Sequence, residues 1–430
     1  MLASAVFVGI AQPAMAVDER IVMTGADLVR MIGVCVHMPY NDGAYANLQN
    51  VLADLKYLGV KGVRDGIPKT DSIPSMLARD ALRRMAFDGI NFDLLFQAGF
   101  GVREAISYLQ TLEKAVSGSV AYVEGYNEIN NFPVTFEGQA GPNAALAGQR
   151  AIYQALKADD RLKTVPVIDM TGFEMVKEPG FAYGDTLSGF ADVMNIHFYA
   201  QNGDQPGRGI QPGKPSNYAS MRENLPKVIT EFGYATRPES GWLVIGVDER
   251  TQAKGILNGL FDAARSGYDR VYIYELLDEK ADPNNSELQF HFGLFTFENR
   301  PKIAAQTIRN LTAILAERGG GPAPGRGSAA KPTQVQVGPV ESADPIQSLT
   351  VVRAGGDPIL ALWHEPRFWD RAKGSPIEAS PLPVSVTFAA SCASVKIYDP
   401  LLSDQPVSTH GNGPISVMLE DHVKLVECAS

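Results

Sequence analysis

Between Met31 and about Leu315, short apolar, β-branched runs alternate with stretches whose apolar residues recur at helical spacing. That alternation marks βα units on a parallel sheet: strands covered on both faces lose their polar positions, and crossover helices keep one apolar stripe. Eight runs predict strands, at Met31–His37, Val60–Asp65, Ile90–Phe96, Ala121–Asn127, Val165–Met170, Asp192–Tyr199, Lys227–Phe232 and Arg270–Leu276. Helices are predicted between them, clearest over Ala46–Leu58, Met76–Phe87, Val102–Val116, Ala144–Lys157, Arg250–Ser266 and Ala304–Ala316. Eight units over about 290 residues match a (β/α)8 barrel, whereas a doubly wound sheet more often stops at about five or six strands. The predicted fold class is therefore α/β, a (β/α)8 TIM barrel.

After the last helix the chain reads Gly319-Gly320-Gly321-Pro322-Ala323-Pro324-Gly325 and continues to Lys331-Pro332, too rich in Gly, Pro and Ala for helix or strand. Beyond it, strand-length pieces follow at Thr333–Val337, Ser348–Arg353, Ile359–Trp363, Leu382–Phe388, Ser394–Tyr398, Pro414–Leu419 and Val423–Glu427. They predict a small all-β sandwich. The expected organisation is a signal peptide at residues 1–16, a barrel at 17–318, a linker at 319–332 and a sandwich at 333–430.

Composition changes this picture in two ways. With 45% hydrophobic and 20% charged residues the 430-residue chain can bury a sizeable core, which excludes disorder. Its net charge of -10 argues against nucleic acid or an anionic membrane as a partner. The apolar run Leu2–Ile10, followed by Ala14-Met15-Ala16, has the shape of an export signal without its basic segment, and predicts a secreted or periplasmic protein. No other run approaches the ~18 apolar residues of a spanning helix.

Of the three cysteines, Cys392 and Cys428 lie in strand-like stretches and could pair if those strands are neighbours. Cys35, inside an apolar run, reads as a small buried hydrophobe rather than a nucleophile.

Barrel chemistry is carried where strands end and the βα loops begin. That rule selects His37, Arg64, Asn127 with Glu128, His197 with Tyr199, Glu231 and Glu275. Glu128 and Glu231 follow the fourth and seventh strands, which approach across the mouth. A facing pair of carboxyl groups is what glycosidic bond cleavage requires: one acid to protonate the leaving oxygen, one carboxylate to attack or to activate water.

These residues also carry a resemblance. Glu124-Gly125-Tyr126-Asn127-Glu128 is similar to the acid/base motif of the clan A glycoside hydrolases, and Thr230-Glu231-Phe232-Gly233 looks like their nucleophile motif. A barrel followed by a sandwich resembles family 39 and its neighbours. The resemblance implies a retaining O-glycosidase with Glu128 as acid/base and Glu231 as nucleophile, acting on an oligo- or polysaccharide. It implies that Asn127 binds the sugar 2-hydroxyl, that Arg64 keeps Glu231 ionised, and that Tyr199 donates its phenol to the same carboxylate. For Arg64 an ion pair lower in the barrel, with Glu124 or Asp65, stays open. The implied alternatives are a carbohydrate-binding protein without turnover and a transglycosylase.

Two positions depart from the clan. Ile129 stands where Pro is usual after the acid/base, and the eighth strand lacks the Trp that commonly floors the sugar site, leaving Tyr274, Leu276 or a loop residue for that place. Glu275 either binds a sugar hydroxyl or is a solvated strand-end carboxylate. His37 and His197 either line the pocket or are satisfied buried rings. Of Tyr122, Tyr126, Phe132 and Phe136, about half are expected in the core. No cofactor is implied and no metal is expected, because no carboxylate-rich or His-X-His arrangement accompanies the histidines in sequence. Neither the sugar, nor endo or exo action, nor the oligomeric state is encoded legibly in the loops.

Overall fold

The computed structural model describes residues 15–16, 22–176, 180–185, 188–200, 203–210, 225–237, 246–316, 335–337, 345–353 and 357–429. The eight predicted runs form parallel strands: β1 (Ile32–Cys35), β2 (Gly62–Gly66), β3 (Asn91–Phe96), β4 (Val120–Tyr126), β5 (Val167–Ile168), β6 (Met194–Ala200), β7 (Lys227–Phe232) and β8 (Arg270–Ile273). Pairing runs from β6 through β7, β8, β1, β2, β3 and β4 to β5. A bridge between Ile168 and Val193 joins β5 to β6 and closes the barrel.

The clearest helices occupy Leu48–Leu58, Ile73–Phe87, Val102–Ala115, Pro142–Ala158, Glu249–Arg265 and Ile303–Leu315. Local chemistry starts and stops them. Asn47, Ser72 and Asp248 accept hydrogen bonds from first-turn N–H groups, and Gly59, at φ +70°, ends the first helix in a left-handed conformation. Among the described residues no helix is long and apolar enough to cross a membrane.

The expected alternation fails between β5 and β6. In place of a helix, the chain continues as Thr171–Val176 and returns as Gly180–Asp185, which pairs antiparallel with both Thr171–Val176 and β6. This hairpin fills the upper gap between β5 and β6, where the barrel itself is held by one bridge.

The C-terminal strands form two sheets. One sheet has six strands in the order Val22–Thr24, Gln347–Val352, Pro358–Trp363, Lys424–Ala429, Ser394–Tyr398 and Pro406–His410. The other has Met15–Ala16, Val335–Val337, Leu382–Phe388 and Ile415–Leu419. Residues 22–24, read from sequence as barrel, thus pair in the sandwich, parallel to Gln347–Val352. Residues 1–14 of the expected signal segment and the linker 319–332 lie outside the described residues.

Period-two alternation explains how the sandwich docks. Along Pro358–Trp363, Ile359, Ala361 and Trp363 belong to the core shared with the barrel, whereas Leu360 and Leu362 face the second sheet. Trp363 donates to Asp262 on the helix Glu249–Arg265 at 3.1 Å. Nearby, Lys254 of the same helix pairs with Asp421 at 2.7 Å, both buried. Cys392 and Cys428 form a disulfide with a Cα separation of 5.2 Å, as the neighbouring-strand reading allowed.

Candidate active site

β2 delivers Arg64 to the centre of the barrel mouth, where the guanidinium binds three strand-end groups. Nε donates to Glu124 Oε2 at 2.6 Å and Nη2 to Glu124 Oε1 at 3.0 Å; Nη1 donates to Glu231 Oε1 at 2.7 Å, and Nη2 also to Asn127 Oδ1 at 2.7 Å. The two sequence readings of Arg64 therefore both hold: it is a buried ion pair with Glu124 and the cation beside Glu231. Its contact with Asn127 Oδ1 turns the Asn127 amide nitrogen away from the guanidinium.

The second oxygen of Glu231 accepts from the Tyr199 hydroxyl at 2.7 Å. Burial alone would raise the Glu231 carboxyl, but the charges of His197 and Arg64 and the bonds from Tyr199 and Arg64 outweigh it and hold the group below the ordinary carboxylate range. A carboxyl group so held is ionised.

Glu128 has a different environment. Its Oε1 stands 2.8 Å from His197 Nδ1 and its Oε2 accepts from Asn131 at 3.1 Å. His197 Nδ1 is also 3.5 Å from Glu231 Oε2. Burial opposes a charged ring, yet Glu231, Glu124 and Glu128 together raise His197 to about 9, so it is an imidazolium that donates between the two carboxylates. One oxygen of Glu128, one of Glu231 and a His197 nitrogen all lie within 4.8 Å of one another.

Glu128 has φ +39°, a left-handed conformation uncommon for a side-chain-bearing residue. The turn is held by the hairpin after β5: Glu128 N–H donates to Thr171 Oγ1 at 3.0 Å and Ile129 N–H to the Thr171 carbonyl at 3.0 Å. A proline at 129 could not make the second bond, so Ile129 belongs with the hairpin. Gly172, at φ +98°, permits this approach, since a Cβ there would lie 2.8 Å from Glu128 Cα. Backbone strain maintained by its surroundings is characteristic of functional positions.

On the β1 and β8 side, His37 is partly exposed, stacked on Tyr40 at 4.9 Å and edge-on to Tyr274 at 5.4 Å. Burial is the main reason its ring is lowered to about 4 and so neutral. Tyr274 stands edge-on to Tyr199, whereas Leu276 is fully buried. Glu275 is not solvated as one reading had it: it is fully buried and accepts from the Tyr45 hydroxyl at 2.8 Å. Tyr126 is buried and Tyr122 belongs to the start of β4, whereas Phe132, in the loop after Glu128, is exposed. Cys35 is buried, its thiol pushed well up by burial.

The fold thus gathers Arg64, Asn127, Glu128, His197, Tyr199 and Glu231 into one network, with His37 and Glu275 in an adjoining cluster. Sequence reading missed Thr171, Asn131, Tyr45 and Glu279. Thr171 carried no signal, because its role depends on a hairpin that folds back over a strand end 43 residues away.

No protein-family model and no curated protein sequence matches the chain. Solved structures do resemble it. A family 39 glycoside hydrolase from the gut symbiont Bacteroides cellulosilyticus WH2 aligns over 93% of this chain and 81% of its own, with TM-score 0.58 and 15% identity. A monomeric β-xylosidase from Caulobacter crescentus CB15 aligns over 96% and 97%, with TM-score 0.56 and 15% identity. A glucosidase from Croceicoccus marinus aligns over 97% and 96%, with TM-score 0.55 and 12% identity. The chain therefore shares the fold of these glycoside hydrolases, barrel and sandwich together.

Proposed function

We propose that this chain is a retaining glycoside hydrolase that cleaves β-linked oligo- or polysaccharides by double displacement. The observation that carries the reading is the carboxylate approach: one oxygen of Glu128 and one of Glu231 lie within 4.8 Å, which favours the ~5–5.5 Å spacing of retaining enzymes over the ~6.5–9.5 Å of inverting ones.

In this reading Glu231 attacks the anomeric carbon while Glu128 transfers a proton to the leaving oxygen, giving a glycosyl ester on Glu231 and a free alcohol. Glu128 then takes a proton from water, whose oxygen displaces Glu231 and restores both carboxyl groups. Arg64 and Tyr199 keep the attacking carboxylate ionised, and Asn127 offers its amide to the sugar 2-hydroxyl. The β-xylosidase name of one similar structure fits a β-glycoside. The disulfide and the N-terminal apolar run support export to an oxidising compartment.

The test is a pair of substitutions assayed on a dinitrophenyl β-glycoside, whose leaving group needs no proton. Glu231→Ala should abolish turnover. Glu128→Ala should still form the glycosyl-enzyme, and azide should restore turnover and yield the β-glycosyl azide. An α-azide from Glu128→Ala, or β-azide rescue of Glu231→Ala, overturns the assignment. Binding of a polysaccharide with no turnover of any substrate by the unaltered protein would favour the carbohydrate-binding alternative, and added acceptor sugars separate hydrolysis from transglycosylation.

A further inference from the structure

Beside the mouth, the loops after β1 and β8 bring together three donors that are far apart in the chain. Ligand atoms of His37, Glu275 and Glu279 all lie within 4.8 Å of one another, and His37 Nε2 is 3.4 Å from Glu275 Oε2. Both carboxylates are buried, Glu275 at 0% and Glu279 at 6% exposure. Among the described residues no Lys or Arg forms an ion pair with either of them.

Two atoms in this cluster lack partners. Glu275 Oε1 and His37 Nε2 are buried without a hydrogen bond. The remaining contacts orient the ligands: Tyr45 donates to Glu275 Oε2, the Tyr274 hydroxyl is 3.4 Å from Glu279 Oε1, Gln289 also bonds Glu279, and the two carboxyl groups, both pushed up by burial, hydrogen-bond each other until a cation displaces the shared proton. Ala44 N–H donates to the Glu279 carbonyl at 2.9 Å, fastening one loop to the other. Two buried carboxyl groups facing each other and a neutral imidazole, with one oxygen and one ring nitrogen unsatisfied, make a set that a divalent cation would complete.

We propose that His37, Glu275 and Glu279 form a Zn2+ site on the rim of the barrel mouth. One imidazole and two carboxylates suit Zn2+, and tetrahedral bonds of ~2.0–2.1 Å place neighbouring donors roughly 3.3–3.4 Å apart, the spacing already present between His37 and Glu275. Three protein ligands leave a fourth position open for water or another small ligand. Tyr45 and Tyr274 are the outer partners. The reason for expecting no metal, the lack of carboxylates near the histidines in sequence, does not survive folding. The other cluster of three donors, Glu128, His197 and Glu231, is a poorer candidate, because its ring is protonated.

The full-length protein, stripped with a chelator and returned to metal-free buffer, is titrated with ZnCl2 by calorimetry, and bound metal is counted by mass spectrometry. One Zn2+ per chain is expected, with a higher Tm. Glu279→Gln and His37→Gln should each weaken binding about a hundredfold or more, while Glu231→Gln leaves it unchanged. Co2+ in place of Zn2+ should give a tetrahedral visible spectrum that is lost in His37→Gln, a variant at a partly exposed side chain that keeps the test valid if Glu279→Gln does not fold. Absence of stoichiometric Zn2+ in the unaltered protein overturns the site. So does binding that survives Glu279→Gln and His37→Gln, or binding lost in Glu231→Gln, which would assign the ion to the catalytic pair.

Discussion

Arg64 Nη1 lies 2.7 Å from Glu231 Oε1 while the same guanidinium holds Glu124 through two further bonds. One cation thus couples the ionisation of Glu231 to the integrity of the barrel core. Arg64→Lys keeps a charge but loses the fork, and should lower kcat/KM about a hundredfold while moving its acid limb upward, because Glu231 is less firmly held below the carboxylate range. Arg64→Met leaves Glu124 buried without its guanidinium partner, with only Asn195 and His197 beside it, and should also cost about 3 kcal/mol of stability by chemical denaturation. An unshifted acid limb in Arg64→Lys would count against the coupling.

Tyr199→Phe isolates the neutral donor. The loss should appear mainly in kcat, about tenfold, with a smaller upward move of the acid limb and little change in unfolding midpoint. pH profiles of the two variants on one substrate check both statements.

The His197 imidazolium makes a separate prediction for NMR. Its ring should titrate near 9 in the intact protein and fall toward the ordinary value of about 6.5 in Glu231→Gln, since the Glu231 charge leads the causes that raise it. Because the folded value is raised, this ring contributes stability that is complete below pH ~6.5 and lost as pH rises through about 9. A ring that titrates near 6.5 in both proteins would contradict the charge assignment.

Gly172→Ala tests the support under Glu128. A methyl group would meet Glu128 Cα at 2.8 Å and would also sit at φ +98°. If Glu128 is the proposed acid/base, the expected result is a fall in kcat of about tenfold or more at nearly constant KM, since Glu128 is displaced while the groups on the other strands keep their places. A rise in KM with kcat unchanged would point elsewhere.

The disulfide closes a loop with a sequence separation of 36, which corresponds to about 4 kcal/mol of chain entropy. Cys392→Ser with Cys428→Ser should lower stability by roughly that order while leaving kcat/KM intact at temperatures where the fold persists. Loss of activity without loss of stability would be the contrary result.

The barrel was legible because its strands are buried on both faces and therefore appear as continuous apolar runs, as at Val228 and Ile229, fully buried in β7. The centre of the site was legible for a related reason: polar residues such as Arg64, Glu128 and Glu231 interrupt or end those runs, where apolar residues would be expected. Features built from distant pairings were hidden. Thr171 acts through a hairpin that replaces a helix, and Glu279 meets His37 only when β8 closes on β1. The strand Pro406–His410 escaped because it is an edge, opened by Pro and mostly exposed, with no buried face to impose alternation.

The pairing of Val22–Thr24 with Gln347–Val352 has a consequence for how the molecule is made. A ribosome delivers the first of these strands long before the second, and the sheet that receives it also needs Lys424–Ala429, at the far end of the chain. The early strand must wait, unpaired, through synthesis of the whole barrel. Folding of this sheet therefore waits on strands translated after the barrel, and a chain that stalls before them leaves both the waiting strand and the apolar flank of helix Glu249–Arg265 without cover.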